Sequence, residues 1–217
     1  MNGTEDSPIS IYLSAYSVAS SIGTSREITI RVINFPTGST FNRGTFNGQF
    51  WTLSPTDFGE LELHLPKHFS GIFEITAEAL YSDVPRGRVG RVQVTVQPVP
   101  DIPSLRVTHS LCIESGQVEF TISTSLSDSD GSEALWVSVL GLPENSQLSA
   151  GHISMDGEYI LELADLQGSI IATIPSTGNI SITFIAMATE MLNNSTASTN
   201  VTISLSKCQE GTLDNLP

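Results

Sequence analysis

Positive charge is what this chain most lacks. Lys67 and Lys207 are its two lysines, and nine Lys and Arg stand against 23 Asp and Glu, for a formal net charge of −14. No basic stripe exists to neutralise phosphates, which excludes nucleic acid as a partner, and the same deficit disfavours docking on anionic lipid. No run of eighteen apolar residues occurs and the opening residues hold no signal-peptide core, so this stretch inserts into no membrane. Met1-Asn-Gly-Thr4 reads as the expression start of an excised fragment. Catalytic patterns are missing too. There is no Gly-x-Ser-x-Gly elbow, no phosphate-cradling glycine loop and no paired-carboxylate cleft, and His64, His68, His109 and His152 are scattered. The expectation is that the chain is not an enzyme.

What remains is the composition of a surface-rich β protein: 39% apolar, 15% charged, and heavy in Ser and Thr, which suit the outward positions of half-buried strands. The chain also says nearly the same thing twice. Ser25–Pro36 matches Ser132–Pro143, Gly48–Leu53 matches Gly157–Glu162, Phe58–Pro66 matches Leu166–Pro175, and Ser70–Ala79 matches Gly178–Met187. An offset of roughly a hundred residues is a whole small domain rather than a solenoid turn. Period-2 alternation is plain in Glu27–Ile33, and turn punctuation recurs at Thr37–Gly44 and Asn47-Gly48. The expected fold is all-β, two tandem sandwiches: residues 1–98, a Pro-spaced linker at 99–103, residues 104–208, and a polar tail at 209–217.

Cys112 and Cys208 stand just before the first expected strand of the second repeat and just after its last. In a sandwich those strands often lie side by side, so a disulfide stapling the domain is one reading; two free thiols in a reducing compartment is the other. Asn2, Asn179, Asn193, Asn194 and Asn200 head glycosylation sequons, four of the five in the second repeat.

Ligand character is concentrated in Ser127-Asp-Ser-Asp-Gly-Ser-Glu133. Asp128 and Asp130 alternate along it, Gly131 permits a sharp turn and Glu133 follows, the oxygen-rich loop that Ca²⁺ favours. Glu114, Asp101, Asn193 and Asn194 are candidates to converge there, and a cation so held would fasten the linker. The competing reading is a plain acidic turn, since Asp, Ser and Gly are ordinary turn formers. The first repeat has Ala19–Ser25 in place of the loop, and its acids Glu5, Asp6 and Asp83 are too few for a tight site. Trp51 and Trp136, with Phe46, Phe50 and Phe69, either fill the cores or form a sugar-stacking platform. Arg86, Arg88 and Arg91 read as a solvated basic spot in the last hairpin of the first repeat.

Taken together these segments resemble the cadherin-like and immunoglobulin-like tandem repeats of large surface adhesins, including bacterial ones exported by type I secretion. The resemblance rests on Gly3-Thr-Glu-Asp6, Ser125–Glu133, Gly141-Leu-Pro143, Leu148-Ser-Ala-Gly151, Asp156-Gly-Glu-Tyr159, Leu166-Gln-Gly168 and Ser70-Gly-Ile-Phe73. It covers nearly the whole chain. It implies two immunoglobulin/cadherin-like β-sandwich domains, stiffened by calcium, with Asp128, Asp130, Glu133 and Glu114 as ligands. The cysteine pair and the sequons depart from bacterial versions and point to a eukaryotic surface or matrix protein. The function expected is an extracellular spacer or adhesive module whose partners are neighbouring repeats and a protein or glycan of a cell surface or matrix. The rival is a carbohydrate-binding module working through the aromatic residues.

Overall fold

The computed structural model describes residues 1–12, 28–57, 59–81, 84–128, 131–175 and 178–208. The chain divides into two compact units, Met1–Val99 and Pro100–Pro217. Both are all-β. The regular helix among the described residues is two short 3-10 turns, Pro55–Asp57 and Leu163–Leu166. No helix of the described residues is long and apolar enough to cross a membrane.

The first unit is built from β1 (Asn2–Thr4), β2 (Ile9–Ser10), β3 (Ile28–Ile33), β4 (Thr40–Phe41), β5 (Thr45–Phe46), β6 (Trp51–Leu53), β7 (Glu62–His64), β8 (Gly71–Tyr81) and β9 (Val84–Gln97). One sheet runs β1-β9-β8-β3-β6-β5 and the other β2-β7-β4. Alternation decides which side chains go inward. Ile30 and Val32 of β3, Ile75 and Ala79 of β8 and Val94 and Val96 of β9 are buried, with Ile9, Phe41, Leu61 and Leu63 in the same core. Trp51 joins them at 9% exposure.

On the outer side of that sheet Arg31 and Glu78, opposite one another on β3 and β8, form an ion pair through the guanidinium Nε at 2.7 Å and a second bond from Nη2. The Arg31 guanidinium also lies over the Phe50 ring, 5.1 Å from its centroid. The pair keeps about a third and a fifth of its side-chain surface in water. Screening limits its worth, and Arg31→Ala is expected to cost only about 0.5–1 kcal/mol by urea denaturation.

The second unit comprises β10 (Ser104–His109), β11 (Gln117–Ser125), β12 (Glu133–Leu140), β13 (Gln147–Leu148), β14 (His152–Ile153), β15 (Tyr159–Glu162), β16 (Ser169–Thr173), β17 (Ile180–Glu190) and β18 (Thr196–Leu205). Its sheets run β10-β11-β16-β13 and β14-β15-β12-β17-β18. Val118, Phe120 and Ile122 of β11 meet Val137 and Val139 of β12 and the inward row of β17 in one core. Phe120 and Phe184 touch edge to face at 5.2 Å.

Cys112 and Cys208 are joined by a disulfide with Cα atoms 5.0 Å apart. Main-chain bonds hold the same ends together: Ile113 N–H to Ser206 C=O at 2.9 Å and Cys208 N–H to Ile113 C=O at 3.0 Å. Between Ile113 and β11 the chain reverses through Ser115-Gly116, both at positive φ (50° and 77°), with Glu114 and Gln117 exchanging main-chain bonds. That is the left-handed two-residue turn a tight hairpin needs, and Gly116 supplies one half of it without strain.

Candidate functional site

Four carboxylates of the second unit gather at one end of its sandwich. Glu133 begins β12 and Glu190 ends β17, and the two are partners in the ladder. Glu190 follows Ile180, Ile182, Phe184, Ala186 and Ala188 in the inward phase of its strand, and it is 2% exposed. Asp101 lies three residues ahead of β10 and gives its backbone N–H to Glu133 Oε1 at 2.6 Å. Asp128 sits on the loop that leads from β11, where Gly131 takes φ 86°.

The electrostatics at Glu133 are unfavourable as they stand. Glu133 Oε2 is buried with no hydrogen-bond partner. Among the described residues no Lys or Arg is ion-paired with Glu133 or Glu190. Burial raises the Glu133 carboxyl above its ordinary 4.5, the charges of Asp101, Asp128 and Glu190 add to the rise, and the Asp101 N–H bond opposes it. A proton therefore binds the folded protein more readily than the unfolded chain at this carboxyl. In cation-free buffer the stability it contributes is full below pH 4.5 and is lost as pH rises through the raised value. Glu133→Gln is expected to flatten that slope and to raise the melting temperature at neutral pH, which differential scanning calorimetry from pH 4 to 8 reads directly.

The structure sorts the residues expected from sequence. Asp101, Asp128 and Glu133 come together. Glu114 does not: it is in the hairpin turn ahead of β11, at the far end of that nine-residue strand, about 25 Å from the acidic loop. The physical reason is β10, which runs antiparallel to β11 from Ser104–Ser125 to His109–Phe120 and carries the chain away from the acidic end before Glu114 is reached. Asp130 lies outside the described residues, as do Asp83, residues 19–25 and the expected tail. Asn193 turns its Oδ1 onto the Ser195 N–H at 2.9 Å within the exposed β17–β18 loop. Glu190 is the member that sequence reading missed.

Asn179, Asn193, Asn194 and Asn200 are all solvent-exposed. Among the aromatic residues, Trp51 belongs to the core, Phe69 packs against it, and Phe46 is 51% exposed while stacked on Trp51 at 5.6 Å. Trp136 alternates with the buried Val137 on β12 and faces outward, opposite Met187 and Glu162. Among the described residues the ring contacts are mostly edge to face, with Phe46 on Trp51 the stacked pair. His109 Nδ1 meets the Ser110 carbonyl at 2.7 Å and His64 lies 3.7 Å from Glu62; neither contact sets a base against a nucleophile.

In the first unit, Glu5 is 8% exposed and accepts the Val99 N–H at 2.9 Å, while Asp6 accepts the His68 N–H at 3.0 Å. These two carboxylates thus have backbone donors.

No family model matches the chain and no curated protein matches it in sequence. Among solved structures it is similar to the C-terminal domain of the Streptococcus agalactiae AgI/II polypeptide BspA, at 12% identity over 91% of this chain and 88% of that one, with a TM-score of 0.31. It is similar to the D00-D0 domain of intimin, at 15% identity over 95% and 96% and a TM-score of 0.31. It is also similar to the fibronectin(III)-like modules of Clostridium thermocellum CbhA, at 15% identity over 86% and 83% and a TM-score of 0.31. Likeness this distant carries no argument about what the chain does.

Proposed function

We propose that this chain is an extracellular structural or adhesive module, a tandem-sandwich spacer of a larger surface or matrix protein, whose second unit binds Ca²⁺ through Asp101, Asp128, Glu133 and Glu190. The observation that carries the cation is the unpartnered, buried Oε2 of Glu133 beside the buried carboxylate of Glu190. Buried like charges without a counter-charge are costly, and the cost is removed either by protons or by a cation. Four carboxylates offer hard oxygens in a loop-rich setting, the donor chemistry of Ca²⁺ rather than of thiolate- or imidazole-seeking metals. Bound there, a cation joins the residues ahead of β10, the β11–β12 loop and the end of β17, which stiffens the unit without chemistry. An acidic, Ser- and Thr-rich exterior with exposed sequons and a disulfide fits the same oxidising, extracellular setting.

The test is thermal unfolding of the whole chain with and without millimolar Ca²⁺, against Mg²⁺ as the control for charge screening. A ligand at a hundred times its dissociation constant stabilises by about 2.7 kcal/mol, which is roughly 10 °C for a domain of this size. The shift is expected to vanish in Asp128→Ala/Glu190→Gln. Superimposable curves with and without Ca²⁺ in the native sequence would refute the site.

A further inference from the structure

We infer that β18 is a pairing surface for a second copy of this chain, the two β18 strands joining antiparallel to make one continuous sheet. This goes beyond the cation reading and does not depend on it. Among the described residues β18 is an edge strand whose sole ladder is with β17, from Ile180–Leu205 to Thr189–Thr196 without a bulge. The Glu190 N–H to Ser195 C=O bond at 2.9 Å fixes the phase of that ladder. Odd-numbered residues from 195 to 205 bond to β17, so Thr196, Ser198, Asn200, Thr202 and Ser204 turn their N–H and C=O groups away from it. The same even-numbered row continues into Ser206 and Cys208, and there its groups are taken by Ile113. Ahead of Ser206 the row has no ladder partner among the described residues; β10, on the facing sheet, pairs with β11.

An edge of this kind is normally guarded by charge, proline, glycine or a bulge. β18 reads Thr-Ala-Ser-Thr-Asn-Val-Thr-Ile-Ser-Leu, with none of these, in a chain whose net charge is −14. The corresponding strand of the first unit shows the contrast. β9 carries Pro85, Arg86, Gly87, Arg88, Gly90 and Arg91, and its Thr95–Gln97 end is covered by β1 in parallel pairing. The second unit's counterpart of β1 is the single parallel bridge of Ile113 to Lys207, which lies past the end of β18. Among the described residues one repeat covers part of this edge and carries arginines along it, and the other leaves it without a partner strand.

The bare edge is self-complementary. A two-fold axis through Asn200 sets Asn200 against Asn200, Ser198 against Thr202 and Thr196 against Ser204, small exposed polar side chains with no like charges opposed. Asn200 also heads the Asn-Val-Thr sequon, so a glycan at that position and strand pairing exclude each other.

The experiment is sedimentation velocity on the full chain from a host that adds no N-glycans, from about 1 μM to about 1 mM, a range that covers weak self-association. A dimer fraction that rises with concentration is expected. Ser198→Lys/Thr202→Lys opposes ammonium groups across the axis and is expected to raise the dissociation constant at least about tenfold, while Thr173→Lys on β16 leaves it unchanged. Register is read separately. Asn200→Cys is expected to give a dimer cross-linked through that position under mild oxidation, since residues opposite in a hydrogen-bonded pair lie about 5.5 Å apart at Cα; Thr196→Cys, whose partner is Ser204, is not. A chain that stays monomeric throughout, or a dimer indifferent to the lysine pair, would overturn the inference.

Discussion

Replacing Cys112 and Cys208 by alanine is expected to cost the second unit about 4–5 kcal/mol, the loop-closure value for a bond spanning 96 residues. The folded ends are already aligned by the two main-chain bonds through Ile113, so the native state gives up little contact when sulfur is removed. The unfolded chain gains nearly all its freedom back. The loss should therefore appear with a steeper denaturant dependence, because an untied unfolded state exposes more surface. Urea unfolding in the presence and absence of a thiol reductant measures both. A midpoint that is the same with and without reductant would show that the bond closes no loop in the unfolded state. Alanine at the second position alone leaves one free thiol and should match the double variant in midpoint, since the constraint is lost with either partner.

The sandwich was legible in the sequence because each half-buried strand alternates: Ile30 and Val32, Val118 through Ile122, and Ile180 through Ala188 each show one apolar face. The disulfide forms for a different reason than the one expected. Cys112 follows β10 rather than preceding the first strand, and β10 and β11 lie in the sheet facing β18. The Ile113–Lys207 bridge past the end of β18 brings the two sulfurs together. Part of the acidic site was equally open to reading. Glu190 continues the inward row of β17, and a carboxylate in an inward phase is a signal that composition alone conceals. Sequence reading misplaces Glu114 because it assigns no strand to Ser104–His109 at the start of the second repeat, although Leu105 and Val107 alternate there and pack against the core. Once that strand is counted, the direction of the chain reverses and Glu114 moves to the opposite end. No periodicity argument fixes the convergence of Asp101 on Glu133, because it depends on a backbone N–H in an irregular segment.

The two tryptophans were the residues on which core and ligand readings diverged most, and they should separate sharply by mutation. Trp51→Ala is expected to destabilise the first unit by about 3–5 kcal/mol, since the indole is 9% exposed and lies among Phe41, Leu53 and Leu63. Its Nε1–H is buried without a hydrogen-bond partner, so Trp51→Phe loses no bond and should recover most of that stability. Trp136→Ala, on the outer face of β12, should cost only about 1 kcal/mol. Urea midpoints of the three variants give the ranking. The ranking also bears on sugar binding. Loss of glycan retention in Trp51→Ala would report a collapsed core, whereas loss in Trp136→Ala with the midpoint held would report a stacking surface. An equal cost at both positions would mean that Trp136 is packed inward and that the phase of β12 is the reverse of the one described.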